Sequence, residues 1–433
     1  MQSTATSVTG KPESILSSYL ALFLVGVLLS VAGRSAAESA FEEILDEVAD
    51  PLSQIERQIE TQEYAFAVAW LGRHIRDIEA SQNRFNPDLI RPITLLGDAY
   101  MGQGDYAAAL DQYQRAVHLS RVNEGLNAPE QVAIVYREAD AYRRMGDYEL
   151  ANAREEYAYH VLKRGYGPAD EALLPGMLHL ARWYEATGNP FSARAVYEDA
   201  FRVIVANGKD ETDAAIPILK GIARTYRTER FPPYYAAAVA SSDLTSSAFD
   251  QPVSVNNFPA GERALQRIVQ IRQGQVDAQP LAVAESVLDL ADWYTLFDKT
   301  NRAETLYEHA YGLMAEIPEL DAVGYFADPK LLYFPSPGNP KPPPLEYRGE
   351  AASGYVEVAY RVTDTGYVRN METIASDPED MMDFRVRKSL RLARFRPMLI
   401  DGVPVAREVH TYRHEFTYYP KIEDAQESPP DAS

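Results

Sequence analysis

The sequence predicts a multidomain chain of 433 residues, in which a long all-α array of helical repeats precedes a small α+β domain. A tyrosine recurs every 42 residues, at Tyr100, Tyr142, Tyr184 and Tyr226, which is typical of helical repeats. A proline-rich stretch, 333–344, then interrupts the chain. Beyond it, apolar and polar residues alternate and a turn follows, which is typical of strands.

Each repeat is predicted to contain two helices. The surroundings of Tyr100 recur in the other copies, and they are Leu96, Gly97, Gly104, Ala109, Tyr113 and Ala116. Leu96, Gly97 and Tyr100 share one helical face, and Gly104 breaks the first helix at the turn. In the second helix, small alanines allow a close helix approach and Tyr113 fills the gap between helices. One unit cannot bury its apolar face alone, so the units must stack.

These residues resemble the tetratricopeptide repeat (TPR), and the resemblance implies a superhelix of stacked helix pairs. The usual period is about 34 residues, so we expect longer helices or loops between the units. Glu155 departs from the pattern, which has an aromatic residue there.

The predicted array covers residues 38–330 and has irregular ends. Residues 40–85 fit a degenerate capping repeat. The fourth repeat is split by an insertion, 231–260, which reads either as a tolerated surface loop or as a functional segment. Its second helix is predicted over 261–272.

The TPR resemblance implies a concave face built from fixed positions of each first helix. In the middle units these positions gather five cations, Arg143, Arg182, Lys220, Arg224 and Arg227. In the first two units they include Asp98, Met101, Tyr136 and Asp140. Clustered arginines bind carboxylates through paired N–H donors, so the hypothesis is a groove for an acidic or C-terminal peptide. The alternative is ion pairing between repeats, for instance between Arg182 and Asp140.

The first 37 residues are predicted to be a targeting segment. The apolar run 19–33 precedes the small residues Ser35, Ala36 and Ala37, which suit a signal peptidase. A retained membrane anchor is the alternative, and membrane contact is expected only through residues 15–33 in that case. The chain has no cysteine, which excludes a lipid-anchored lipoprotein and a disulfide framework.

Residues 331–344 are predicted to form an extended proline-rich linker, and residues 345–420 a separate domain of order β-β-α-β. Strands are expected over 355–362, 367–375 and 405–418. A helix opening at Asp377 or Pro378 is expected to turn four residues inward: Met382, Val386, Leu390 and Ala393. The acidic tail 421–433 is predicted to be disordered.

This domain resembles the C-terminal domain of TonB, the energy transducer to outer-membrane receptors. The residues that carry the resemblance are Gly354, Val356, Val358, Val362, Gly366, Val368, Arg394, Phe395, Pro397, Asp401, Gly402, Pro404 and Val405. The resemblance implies that the long last strand is an edge that pairs with a segment of a partner. The predicted edge residues are Val405, Arg407, Val409, Thr411, Arg413 and Glu415.

Net charge −21 argues against nucleic-acid binding and against anionic lipid surfaces. The sequence contains no catalytic signature, so we expect neither an enzyme nor a cofactor. His410 and His414 would share one strand face, but a metal site needs three or four ligands, so no metal is expected. The basic run 385–396 is expected to be a solvated helix face.

The sequence favours an exported, periplasmic interaction protein, anchored in the inner membrane if its first segment is retained. It would capture a protein partner in the array and pair with another by strand addition. The alternative is a TonB-like energy transducer in transport across the outer membrane, with outer-membrane receptors as partners. The resemblance implies, for that role, an anchor with a polar residue, often histidine, and a proline-rich arm after it. This segment has no histidine, its polar residues are Ser17, Ser18, Tyr19 and Ser30, and the helical array stands where the arm would be. A homodimer through the exposed edge is a further alternative.

Overall fold

The computed structural model describes residues 50–232 and 257–420. The predicted targeting segment, residues 233–256 of the insertion and the acidic tail lie outside the described residues. The chain divides into two compact units, Met1–Val161 and Leu162–Ser433.

The first unit is helical in its described part, and each of its first four helices packs against the one that follows it in the chain. Its helices are α1 (Pro51–Glu60), α2 (Tyr64–Ser81), α3 (Ile90–Gln103), α4 (Tyr106–Glu124), α5 (Val132–Arg144) and α6 (Tyr148–Tyr166), the last of which continues into the second unit. Gly104 ends α3 in a left-handed conformation with φ of 80°, and the Asp105 side chain accepts a hydrogen bond from Ala108 N and caps α4. The predicted break at Gly104 is confirmed.

The second unit continues the helix pairs. Its helices are α7 (Leu174–Ala186), α8 (Pro190–Ala206), α9 (Ile216–Arg230), α10 (Phe258–Gly274), α11 (Pro280–Leu296), α12 (Thr300–Ala315) and the single turn α13 (Ala322–Tyr325). Three-residue 3₁₀ turns precede four of the first helices of the repeats, at Pro87–Leu89, Pro129–Gln131, Glu171–Leu173 and Asp213–Ala215. These turns and the long second helices account for the extended period. Helix α10 begins three residues before the predicted start.

Buried tyrosines hold the helix pairs together. Tyr113, Tyr197 and Tyr307 are each 1% exposed. A glycine lies against two of these rings, Gly97 against Tyr113 and Gly221 against Tyr197. A Cβ atom at either glycine would lie 2.4 Å from the nearest atom of the ring, so a larger residue does not fit there. The predicted role of Tyr113 as the residue that fills the gap is confirmed.

The C-terminal domain contains one helix and a three-stranded antiparallel sheet, in which β2 (Ala352–Val362) lies between β3 (Val368–Asp377) and β7 (Arg407–Tyr418). Its elements are β1 (Lys330–Tyr333), β2 (Ala352–Val362), β3 (Val368–Asp377), α14 (Asp383–Leu392), β4 (Arg394–Arg396), β5 (Met398–Ile400), β6 (Val403–Val405) and β7 (Arg407–Tyr418). Its core includes Val356, Val358, Met382, Val386, Leu390, Ala393, Phe395 and Phe416. The predicted order β-β-α-β is confirmed, and so is the inward face of the helix.

Strand β2 begins three residues before its predicted start and β3 ends two residues after its predicted end. Three further boundaries differ from the prediction. Val405 belongs to β6 and pairs with Met398, because Asp401 and Gly402 adopt positive φ and close a two-residue hairpin. The long strand therefore begins at Arg407. Helix α14 begins at Asp383, since Asp377 is still the last residue of β3. The predicted linker also contains most of β1, which pairs with β4.

Candidate protein-binding surfaces

A three-residue cluster links neighbouring repeats in the first unit. The buried Tyr113 hydroxyl donates to Asp98 Oδ1 at 2.7 Å, and Arg137 Nε donates to the same oxygen at 2.8 Å. Arg137 follows Asp98 by 39 residues and lies on α5 of the next repeat. We call this arrangement of acid, buried tyrosine and arginine a clasp.

A second clasp lies in the second unit. The Tyr197 hydroxyl donates to Glu185 Oε2 at 2.9 Å, and Arg224 donates to both carboxylate oxygens at 2.7 and 2.8 Å. The acid and the arginine are again 39 residues apart. Burial and the adjacent Glu185 carboxylate raise the pKa of Tyr197 to about 12. Both clasps therefore join one repeat to the first helix of the next.

The third clasp takes its arginine from the C-terminal domain. The Tyr307 hydroxyl donates to Asp292 Oδ1 at 3.0 Å, with the same separation of 15 residues as Tyr113 and Asp98. Arg396 of β4 donates to both Asp292 oxygens at 2.9 and 2.6 Å. The C-terminal domain thus fills the position that the next repeat occupies in the other clasps.

The third clasp is also the most buried. The side chains of Arg396 and Asp292 are 6% and 14% exposed, whereas those of Arg137 and Asp98 are 42% and 22% exposed. Burial opposes the charge of Arg396, but Asp292 outweighs burial and raises the pKa of the guanidinium. A buried pair that loses one partner leaves a costly unpaired charge, so this contact is the strongest candidate for a structural anchor.

Further contacts join the C-terminal domain to the last helices. Leu399 N donates to Phe326 O at 3.1 Å, and the Tyr367 hydroxyl donates to Asp298 Oδ1 at 2.6 Å. The C-terminal domain therefore packs directly against the last repeat, and the bounds of the linker stay a prediction.

Four of the five predicted groove cations bond to the chain itself. The pairs are Arg143 with Asp140, Lys220 with Asp289, Arg224 with Glu185, and Arg227 with the Leu332 carbonyl oxygen at 2.8 Å. Arg182 is exposed and makes no ion pair with any described residue of the second unit. Burial opposes ionisation of Asp140, but hydrogen bonds from Arg143 and Arg144 outweigh it and hold the pKa below its usual range.

The predicted concave positions of the first two units do come together. Asp98, Met101, Tyr136 and Asp140 line one open cavity of about 460 Å³ with Arg137 and Arg144. Each of these two arginines pairs with one of the two acids, Arg137 with Asp98 and Arg144 with Asp140. Peptide binding here stays a prediction.

Strand β7 has one free side in the described part of the chain, because its only ladder partner is β2. Thr417 N donates away from β2, to Asn339 Oδ1 at 3.1 Å. Since backbone groups alternate along a strand, the N–H groups of Thr411, Arg413 and Glu415 also face outward. These three predicted edge residues can pair with another strand.

The start of β7 is less regular. The register of β7 against β2 shifts between His410, which pairs with Tyr360, and Arg407, which pairs with Val362. Val409 lies within this shift and has φ of 47°, so β7 bulges there. The Arg407 guanidinium donates to Ala327 O at 2.6 Å and pairs with Asp328. The regular free edge therefore begins at His410.

The two strand histidines face the interior of the C-terminal domain with aromatic neighbours. His410 stacks on Tyr360, and His414 stacks on Phe416. His414 Nε2 lies 2.9 Å from the Gly338 carbonyl oxygen. Burial, then the charge of Arg407, lowers the pKa of His410. Within residues 50–232 and 257–420, no group of three acidic or histidine side chains could hold a metal ion.

The comparisons with known proteins agree with the two kinds of domain. Residues 344–418 match the family model of the Gram-negative bacterial TonB protein C-terminal domain. This part of the chain is therefore similar to the TonB C-terminal domain. Residues 90–123, which span α3 and α4, match the model of the tetratricopeptide repeat. No described helix is both long and apolar enough to cross a membrane.

Solved helical-repeat proteins are similar to the chain at low identity. BtubC from P. vanneervenii is 16% identical in sequence, and the superposition has a TM-score of 0.38. It covers 61% of this chain and 92% of BtubC. A Podosopora anserina putative kinesin light chain with TPR-like repeats is 17% identical, with 54% and 99% covered and a TM-score of 0.39. Among curated proteins, none matches.

Proposed function

We propose that this chain is a periplasmic scaffold that joins two proteins, one bound by the TPR array and one by the TonB-like domain. The observation that carries the proposal is the free side of β7 in a domain that matches the TonB C-terminal family. Thr411, Arg413 and Glu415 present their backbone N–H groups there. An extended segment of a partner would add a fourth strand to the sheet, gaining affinity from backbone hydrogen bonds.

The array supplies the second binding surface. In the first unit the cavity around Asp98, Tyr136 and Arg144 offers charges of both signs. In the second unit Arg182 is the predicted groove cation that is free to receive a carboxylate. Neither surface holds an arrangement that activates a nucleophile or a water molecule, and we propose binding without catalysis.

Strand addition predicts a specific effect of proline at Thr411. Proline removes an outward N–H that β7 does not use in its own ladder, so the fold should tolerate the change. In Gram-negative cells, a photocrosslinker at position 413 should capture a partner of the otherwise native chain. Thr411→Pro should reduce this capture at least about tenfold, which corresponds to a loss of roughly 1.4 kcal/mol of binding free energy.

Tyr412→Pro is the matched control, because Tyr412 pairs with Val358 of β2 and its N–H faces inward. That variant should lose the sheet as well as the partner, as measured by hydrogen exchange in β2. Capture that survives Thr411→Pro in a folded chain would contradict strand addition.

The groove hypothesis is tested by reversing charges. Arg182→Glu should weaken capture of an acidic partner without changing stability, because Arg182 makes no ion pair with any described residue of the second unit. Arg224→Glu should also break the Glu185 clasp, so its effect on capture is accompanied by a loss of stability. Unchanged capture by both variants, measured by pull-down, would remove the groove from the proposal.

The second candidate, a TonB-like energy transducer, is favoured by the match of residues 344–418. It requires a retained N-terminal segment and a motor complex. Crosslinking in intact cells with a C-terminal tag distinguishes the two. A full-length chain with outer-membrane receptors and a motor supports the transducer, and a processed chain with other envelope proteins supports the scaffold.

A further inference from the structure

One short segment of the linker contacts both candidate surfaces of the second unit. We call Lys330–Asn339 the strap. At its start, the Leu332 carbonyl oxygen accepts a hydrogen bond from Arg227, a predicted groove cation. The Tyr333 ring lies 5.0 Å from that of Phe231, at the end of α9. The strap therefore occupies the position of a groove ligand.

The other end of the strap lies on β7. The Phe334 ring contacts that of Tyr412 at 5.0 Å, and the Gly338 carbonyl oxygen lies 2.9 Å from His414 Nε2. The Asn339 side chain accepts the outward N–H of Thr417, as the carbonyl of an added strand would. Asn339 O also accepts a hydrogen bond from Arg385 at 2.9 Å.

The strap has the chemistry of an extended peptide ligand. It offers a backbone carbonyl to an arginine, an adjacent aromatic pair in Tyr333 and Phe334, and prolines on both sides at Pro329 and Pro340. Prolines favour the extended conformation and lower the entropy lost on binding. A partner peptide with an extended backbone and two adjacent aromatic residues would contact the same side chains, among them Arg227 and Phe231.

We propose that the strap is a self-ligand that occupies the groove end at Arg227 and the β7 edge at Thr417 together, and that an extended, proline-flanked peptide with two adjacent aromatic residues displaces it. The proposal rests on the proposed function, since it assigns a competitor to the same edge. Both contacts lie within ten residues of one chain, so release at either end weakens the other. By thermodynamic linkage the effect is reciprocal.

Hydrogen exchange of the full chain tests the coupling without any partner. Phe231→Ala removes the aromatic contact of Tyr333, and exchange at the Thr417 amide should rise at least about threefold. Asn339→Ala changes an exposed side chain at the other end of the strap and should speed hydrogen exchange of the amides within Lys330–Tyr333. This second variant keeps the test valid if Phe231→Ala unfolds α9. Val276→Ala, at a fully exposed side chain, should change neither. Exchange that rises only at the mutated end would overturn the coupling.

Competition is tested with a synthetic peptide of residues 329–340 carrying a fluorophore. Its affinity for the Tyr333→Ala/Asn339→Ala chain should exceed that for the native chain at least about tenfold, because the self-ligand is weakened. A peptide with serine at both aromatic positions should not bind. Equal affinity for both chains, or binding to neither, would overturn the proposal. If Thr411→Pro does not reduce capture, the proposed function of the β7 edge is contradicted. The hydrogen-exchange result would still report whether the two ends of the strap are coupled.

Discussion

Replacing Arg396 with methionine is expected to destabilise the contact between the TonB-like domain and the last repeat by about 3–5 kcal/mol, the cost of breaking a buried ion pair. In the native structure Asp292 is 14% exposed, and the substitution leaves its carboxylate with the Tyr307 hydroxyl as its one hydrogen-bond partner among the described residues, with the charge of Arg227 nearby. Hydrogen exchange in α11 and β4, followed across a urea titration, measures the loss. The first unit should be unaffected, because its own clasp is intact.

Arg137→Met is the matched control, since it removes the arginine of the first clasp. That arginine is 42% exposed, and exposed pairs contribute only about 0–1 kcal/mol. The double variant Asp292→Asn/Arg396→Met removes both charges and should recover most of the stability that the single change loses. If Arg396→Met costs no more than Arg137→Met, the third clasp does not anchor the domain.

The array was predictable from sequence because its determinants are local. Gly104 and the capping Asp105 fix one turn, and Tyr113 fills the gap left by Gly97 within the same helix pair. Contacts of this kind recur with the period, so a repeated residue marks a repeated environment. The sheet of the TonB-like domain was predictable for the same reason, through alternation along β2.

The third clasp could not be predicted in the same way. Asp292 and Tyr307 repeat the spacing of Asp98 and Tyr113, and that signal is in the sequence. Arg396 is 104 residues from Asp292 and belongs to a domain with no repeat. Nothing in the spacing connects an isolated arginine on a short strand to that acid.

Charge patterning in the sequence leaves two arrangements open for the predicted groove cations. Arginines on a concave face can receive a peptide or can pair with the neighbouring repeat, and both need the same residue types. In this structure Arg224 pairs with Glu185 of the preceding repeat, and Arg227 donates to the Leu332 carbonyl oxygen. The outcome depends on side-chain geometry, which single-sequence spacing does not encode.

Replacing Tyr113 with alanine is expected to destabilise the first unit by about 3–5 kcal/mol, as for other buried aromatic side chains. The ring is 1% exposed and packs against Gly97, which has no side chain to fill the space. Asp98 also loses a hydrogen bond. Urea unfolding followed by circular dichroism, with hydrogen exchange in α3 and α4, measures the effect.

Three further variants separate the causes of that loss. Tyr113→Phe removes only the hydroxyl and should lower the free energy of unfolding by about 0.5–1.5 kcal/mol. Tyr148→Ala, at a side chain that is 45% exposed, should lower it less than Tyr113→Ala does. Gly97→Ala alone should destabilise, because its Cβ would lie 2.4 Å from the Tyr113 ring. In the Tyr113→Ala background the same methyl enters the cavity and improves helix propensity, so the two changes should be strongly non-additive. Additive losses would mean that the ring and the glycine do not form one packing unit.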